Sequence, residues 1–144
     1  MIKKFKIIIF PLLIMLSACS DSEKEIDTSE NPEEISISFF SALYNDKDID
    51  KAAAVCEPKL ARVILHYRSA KAVARHLFNM SYDSVNIRTE DTGVKVRQML
   101  KNKAVITIYF DGTYLENRVK DVKRLSLIQR SGRWYVDKIL KDPF

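Results

Sequence analysis

Glycine is scarce in this chain, with only three among 144 residues. A Gly-rich phosphate-binding loop needs several glycines within a few positions, so that class of nucleotide site is excluded. No serine stands between two glycines at the spacing of a nucleophile elbow, which excludes that hydrolase motif. The charges and the N-terminus of the chain are therefore more informative than any catalytic motif.

Histidine and cysteine are equally rare, with two of each. His66 and His76 lie about 15 Å apart along a straight helix, and neither has a cysteine or carboxylate at the spacing of a zinc site. We therefore expect no metal and no cofactor. Cys56 follows three alanines and a valine, which favours a buried thiol; a reactive thiol or a bond to another chain is the alternative.

The first 18 residues are typical of a secretory signal peptide. Three lysines lie among the first six residues, and residues 7–16 are apolar except for Pro11. Ten apolar residues rise about 15 Å as a helix, too short for a hydrocarbon core of about 30 Å. A basic start, a short apolar middle and small residues at the end predict a signal that is removed from the mature protein.

The end of this signal, Leu16-Ser17-Ala18-Cys19, resembles the bacterial lipobox. The resemblance implies that Cys19 is joined to diacylglycerol, that the chain is cut before it and that the new amine is acylated. Two or three acyl chains together give stable membrane anchoring. The alternative is an ordinary secretory signal that ends near a cysteine.

The residue after Cys19 bears on the membrane to which a lipoprotein is sorted. In lipoproteins of Gram-negative bacteria an aspartate there favours the inner membrane, and this chain has Ser20 instead. By that analogy we expect the periplasmic face of the outer membrane, and a Gram-positive envelope is the alternative.

The charges divide the mature chain into an acidic tether and a basic domain. Residues 21–34 hold seven acidic residues against Lys24 alone, whereas residues 35–144 hold 20 Lys and Arg against 12 Asp and Glu. Residues 20–30 contain one aliphatic residue and cannot bury enough surface to offset the entropy of ordering. We therefore predict a flexible tether over residues 19–30 and one folded domain over residues 31–144.

The first half of this domain has helical patterns. Asn31, followed by a proline and two glutamates, predicts a helix start, and apolar residues at four-residue spacing extend that helix to about Tyr44. Asp48 predicts the cap of a second short helix through Cys56. Residues 59–80 are helical by pattern, with a kink or break near Ser69.

That third segment carries cations without acidic residues on its outer faces. Such a run is most often a solvated surface, and the more specific hypothesis is that it binds an anionic surface. The candidate residues for anionic-surface binding are Lys59, Arg62, Arg68, Lys71 and Arg75.

The second half of the domain alternates with the period of strands. Strands are predicted over residues 82–89, 94–100, 104–110 with pairing continued towards 116, 122–130 and 133–140. Helices followed by hairpin-linked strands predict an α+β fold, with the N-terminal helices packed on a curved antiparallel sheet.

Three stretches carry a resemblance to a known superfamily: the helix over residues 31–44, DIDKAAA at residues 48–54 and SGRWYVDKI at residues 131–139. They resemble small bacterial lipoproteins with a nuclear-transport-factor-2-like domain, a superfamily that also contains ketosteroid isomerase. The resemblance covers about residues 31–141. It implies a cone-like arrangement with a pocket between helices and sheet, frequent dimerisation through the sheet and diverse functions.

The resemblance implies a pocket between the helices and the sheet. Its candidate lining residues are Phe39, Phe40, Tyr109 and Trp134, which would either line an open cavity or fill it. A ketosteroid-isomerase type of enzyme needs an aspartate base, a second acid and a tyrosine donor, and no set in this chain matches residue by residue. Asp83, Asp111 and Tyr109 are the nearest candidates, and each aspartate is more simply explained by a turn or a strand start.

Together these features predict a non-enzymatic, membrane-anchored envelope lipoprotein that binds a protein partner or an amphipathic ligand. One alternative is a subunit of an envelope secretion or conjugation assembly, and another is a pocket enzyme. We expect the membrane, through the lipid anchor, and an envelope protein as partners, with homodimerisation through the sheet as an option and no nucleic acid.

Overall fold

The computed structural model describes residues 31–89 and 97–142, with the backbone alone for residues 97–100. The predicted signal peptide, the lipidation site Cys19, the tether up to residue 30 and the predicted turn at residues 90–93 lie outside the described residues. No helix within residues 31–89 or 97–142 is both long and apolar enough to cross a bilayer.

The predicted helix starts are confirmed by their caps. Helix α1 spans Pro32–Ser41, and the side chain of Asn31 accepts a hydrogen bond from the backbone N–H of Glu34 at 2.9 Å. A π-helical turn, Ala42–Asp46, continues it. Helix α2 spans Ile49–Ala54, and Asp48 caps it through the N–H of Lys51 at 3.0 Å. These side-chain oxygens satisfy N–H groups that a helix leaves unpaired at its start.

The predicted break near Ser69 is also confirmed. Helix α3 spans Pro58–His66 and helix α4 spans Ala70–His76. Between them Arg68 has a φ of 63°, and the hydroxyl of Ser69 accepts a hydrogen bond from the N–H of Ala72 at 3.2 Å. A left-handed residue followed by a new cap ends one helix and starts the next in a different direction.

Five strands form one antiparallel sheet. They are β1 Ser84–Thr89, β2 Arg97–Leu100, β3 Lys103–Tyr114, β4 Asn117–Arg130 and β5 Arg133–Ile139. The order is β1-β3-β4-β5, and β2 also pairs with β3. The β3–β4 hairpin is the longest ladder, running from Lys103 opposite Ile128 to Tyr114 opposite Asn117. The register between β4 and β5 shifts between Ser126 and Leu127.

The helices are tied to the sheet by the backbone as well as by side chains. The turn between α2 and α3 lies against β5, where the N–H of Val136 donates to the carbonyl of Val55 and the N–H of Glu57 donates to the carbonyl of Val136, both at 2.8 Å. Helix α1 packs across β1, β3 and β5. The helices therefore cover one face of the sheet, and the predicted α+β fold class is confirmed.

Alternation along β3 divides the two faces of the sheet. Ile106, Ile108 and Phe110 are buried against the helices, whereas Thr107 and Tyr109 between them are half-buried on the opposite, outer face. The period of two in the sequence and the covering helices together produce this division. The core is consequently one layer of apolar side chains between the helices and the inner face of the sheet.

The scarcity of glycine leaves several left-handed backbone positions to other residues. Seven described residues other than glycine have positive φ, and Gly132 is the described glycine that does. The tip of the β3–β4 hairpin is the most unusual case, with Leu115 at 48° and Glu116 at 66°. Turns of this shape favour Asn or Gly, because a Cβ in the left-handed region costs about 1–2 kcal/mol.

Leu115→Asn should therefore stabilise the domain. Leu115 is 68% exposed, so replacing its side chain removes little packing. The backbone N–H of residue 115 donates to the carboxylate of Asp83, and the substitution keeps this hydrogen bond. We expect a gain of about 1 kcal/mol or less in the free energy of unfolding, measured by urea denaturation. Leu65→Asn, at an exposed helical position, is the matched control and should give no gain. A lower free energy of unfolding in Leu115→Asn would contradict the inference that the left-handed conformation of Leu115 is strained.

Candidate functional site

The space between α1 and the sheet is filled by aromatic rings. Phe39 and Phe40 are completely buried and Trp134 is 5% exposed. The ring of Phe40 lies 5.0 Å from that of Phe39, 5.1 Å from Phe78 and 4.8 Å from Phe110, all in edge-on geometry. Three of the four candidate pocket residues thus belong to the core, where they occupy the volume that an open cone would leave for a ligand.

Tyr109 is separated from the other three candidates. It is paired with Arg88 of β1 and Val122 of β4, and it lies on the outer face because its neighbour Phe110 faces the helices. Residues adjacent along a strand point to opposite faces, so Tyr109 does not share a pocket with Phe39, Phe40 and Trp134.

The two aspartates of the enzyme alternative have structural contacts. Asp111 accepts two hydrogen bonds from Arg118, at 2.8 and 2.6 Å, and this pairing holds the pKa of the carboxyl below its ordinary value. Asp83 accepts the backbone N–H of Leu115 at 2.8 Å and supports the hairpin tip. Both carboxylates line cavities, but each is engaged by these contacts, whereas a general base of the ketosteroid type needs a carboxylate that is free to accept a proton.

Two buried tyrosines lie at the edge of the aromatic core. Burial raises the pKa of both Tyr44 and Tyr82, with a smaller contribution from the negative charge of Asp121. The hydroxyl of Tyr44 donates to the carbonyl of Met80 at 3.3 Å. The hydroxyl of Tyr82 is buried and has no hydrogen-bond partner among the described residues.

The five predicted cations are brought onto one helical region. Lys59 and Arg62 are exposed on α3, Arg68 lies in the break, and Lys71 and Arg75 are exposed one turn apart on α4. None of them forms an ion pair with a carboxylate in the described part of the chain. We refer to these five residues as the cationic face.

Two exposed apolar residues lie on the same helix as two of the cations, and the sequence did not predict their exposure. Val63 is 41% exposed and Leu65 is 43% exposed, and both lie on α3 among the cations. The buried stripe of α3 consists of Leu60 and Ile64, so the two extra apolar residues contribute little to the core. Their spacing in the sequence was a usable signal, since one face of a nine-residue helix does not need four large aliphatic residues.

The histidines are closer than a straight helix would place them. The break at Arg68 brings both next to Tyr67, whose ring centroid lies 6.1 Å from that of His66 and 6.3 Å from that of His76. No group of three or more potential metal ligands occurs within residues 31–89 and 97–142.

Cys56 is buried, as the alanine run favoured. It is 6% exposed, its thiol donates to the carbonyl of Ala52 at 3.3 Å, and burial raises the pKa of the thiol to about 12. A buried thiol of high pKa is a poor nucleophile, because the thiolate is the reactive form.

A side cavity of about 380 Å³ opens beside the cationic face. Its wall includes Leu43 and Tyr44 from the π-helical turn after α1 and Tyr114 from the β3–β4 hairpin, and Lys71 and Arg75 of α4 also line it. Local sequence patterns do not predict this cavity, because its walls come from segments as far apart in the chain as Leu43 and Tyr114.

Comparisons with known proteins bear on the fold. No protein-family model and no curated protein matches the chain. The chain is similar to a solved structure from Campylobacter jejuni described as "Putative NTF2-like transpeptidase", with 16% sequence identity and a TM-score of 0.48, over 78% of this chain and all of the other. What confirms the predicted α+β class is the order of elements, helices followed by one antiparallel sheet.

The two buried tyrosines give a matched test of the core. Tyr82→Phe removes a buried hydroxyl without a partner and should raise the free energy of unfolding by about 1 kcal/mol. Tyr44→Phe removes a hydroxyl that is bonded to Met80 and leaves that carbonyl unpaired, so it should lower stability by about 1 kcal/mol. Urea denaturation of both variants measures the difference, and equal effects would show that the two hydroxyls have the same environment.

Proposed function

We propose that this protein is a non-enzymatic envelope lipoprotein whose domain, anchored through Cys19, binds an anionic surface with its cationic face. The single observation that carries the proposal is the run Pro58–Tyr82, which has five Lys and Arg and no acidic residue and which folds into two short exposed helices. Elsewhere in the described chain some cations, such as Lys51, Arg118 and Arg130, have carboxylate partners, whereas others, such as Lys47 and Arg88, are single exposed cations without one.

The apolar residues on α3 support contact with a bilayer rather than with a polymer alone. Val63 and Leu65 stand beside Lys59 and Arg62 on the exposed side of the helix. An interfacial helix combines basic residues that meet anionic head groups with apolar residues that enter the acyl boundary. Each cation near an anionic leaflet contributes about 1 kcal/mol, so five would bind measurably even before the anchor is counted.

The filled core supports binding at the surface of the domain rather than in its interior. Because Phe39, Phe40 and Trp134 occupy the space between the helices and the sheet, a ligand has no room there. A lipid anchor would raise the effective concentration of the cationic face at the bilayer, so weak contacts would suffice. The tether of about a dozen residues would let the domain reorient on the membrane.

Lipidation at Cys19 is the first consequence to test. The protein isolated from its native cells should begin at residue 19 and carry acyl chains there, as measured by mass spectrometry of the intact N-terminal peptide. Cys19→Ser should carry no acyl chain at position 19, because the sulfur that would accept the diacylglycerol is gone. A Cys56→Ser variant is the control and should stay in the membrane. An unmodified Cys19 in the native protein would remove the anchor from the proposal.

The cationic face is tested separately with vesicles and with residues 20–144, the mature chain without its lipid anchor. Arg62→Glu combined with Lys71→Glu should weaken binding to phosphatidylglycerol-containing vesicles by about thirtyfold or more, because two contributions of about 1 kcal/mol are lost and repulsion is added. Cosedimentation at increasing salt measures the effect, which should shrink as salt screens the charges.

The matched control reverses two cations on the other side of the sheet. Arg88 and Lys120 are exposed and flank the outer face, so Arg88→Glu combined with Lys120→Glu changes the net charge equally. This control should retain vesicle binding to within about threefold, since the changes lie on the far side of the sheet from α3 and α4. Equal losses in both double variants would mean that net charge alone, and not the cationic face, governs binding.

A further inference from the structure

The side cavity lies outside the filled core. Leu43 and Tyr44 bound it on one side, Ala74 on another and Tyr114 at the hairpin end. Its volume of about 380 Å³ falls in the lower part of the range of small-molecule sites, about 300–1,000 Å³. A small ligand, or one end of a longer one, would fit such a space.

The apolar walls of the side cavity are fixed by the core behind them. The ring of Tyr82 packs edge-on against Tyr44 at 5.4 Å and stacks on Phe110 at 6.1 Å. Gly112 makes this placement feasible, because a Cβ there would come within 2.7 Å of the Tyr82 ring. At the open end Tyr114 is 37% exposed, which gives an apolar rim that contributes little to stability.

Three cations border the cavity. Lys47, Lys71 and Arg75 come from the turn after α1 and from α4, and none forms an ion pair within the described residues. One carboxylate, that of Asp83, also lines the cavity, and it is engaged by the N–H of Leu115. The cavity lining therefore combines an excess of positive charge with apolar surface and the two serines Ser69 and Ser81.

Lys47 is held at this border by an unfavourable backbone conformation. Its φ is 54° and its N–H donates to the carbonyl of Ala42, so the chain turns sharply at this residue. Asn or Gly would adopt the same conformation at lower cost. Strained positions of this kind concentrate at binding sites, where the side chain serves a purpose other than stability.

We propose that the side cavity binds a small amphipathic anion. Its carboxylate or phosphate oxygens contact Lys47, Lys71 and Arg75, and its apolar chain or ring lies against Leu43, Tyr44 and Tyr114. The ligand is either a free amphiphile or the head group and first methylenes of a membrane lipid, which share this chemistry. The inference deepens the proposed binding function and rests on it for Lys71 and Arg75, whereas Lys47 is not part of the cationic face.

The test uses residues 20–144, the mature chain without its lipid anchor, and isothermal titration calorimetry. Decanoate below its micelle concentration should bind saturably at one site, and the neutral analogue decanol should bind about tenfold more weakly or worse. Lys47→Asn combined with Arg75→Gln should weaken decanoate binding by about tenfold or more, because charge-assisted contacts are lost, and should leave decanol unchanged. Asparagine suits the left-handed backbone at position 47, so the variant stays folded.

Lys120→Gln is the matched control, since Lys120 is an exposed cation on the outer face of the sheet that does not line the cavity. It should leave decanoate binding unchanged. Equal binding of decanoate and decanol, or equal decanoate affinity in the parent and in the Lys47→Asn/Arg75→Gln variant, would overturn the proposal.

The source of the ligand is identified by measuring the binding of phosphatidylglycerol vesicles to the parent protein, to Lys47→Asn alone and to the Arg62→Glu/Lys71→Glu variant. If Lys47→Asn lowers vesicle binding as well as decanoate binding, the anion is a lipid head group; if it lowers decanoate binding alone, the anion is a free amphiphile. If reversal of Arg62 and Lys71 leaves vesicle binding intact while the decanoate results hold, the proposed surface function fails and the side cavity stands.

Discussion

The structure depends on the packing of aromatic rings between α1 and the inner face of the sheet. Phe40 contacts the rings of Phe39, Phe78 and Phe110, and Tyr44 extends the cluster to Tyr82. Each fully buried phenylalanine contributes roughly 1.5–3 kcal/mol, and edge-on aromatic pairs add about 0.5–1.5 kcal/mol. The cluster thereby joins helices to strands, and it also occupies the volume in which a cone-shaped domain would hold a ligand.

Because aromatic rings fill the interior of the domain, its candidate binding groups lie at the surface. The helices α3 and α4 expose cations and two aliphatic residues, and the side cavity lies where α4 meets the β3–β4 hairpin. Both features adjoin the aromatic core, which gives them rigid support.

Local patterns predicted the helices well and the site only in part. Asn31, Asp48 and Ser69 were recognisable as caps or breaks because a capping side chain acts within three or four residues of its own position. The run of cations was likewise visible, because both short helices expose the residues that a helical period places outside. Tyr109 was grouped with the core aromatics although it faces the other way, since a strand pattern does not say which of its faces the helices cover.

The sequence by itself determined the α+β class, the caps, the cationic run and the expectation of a lipid anchor, because each rests on neighbouring residues or on composition. Only the tertiary structure decided that Phe39, Phe40 and Trp134 fill the interior, that the break at Arg68 brings His66 and His76 to one tyrosine, and that Lys47 and Tyr114 border one cavity. These relations join residues far apart in the chain. They arise from the packing of α1 and α4 against the sheet, which no local period specifies.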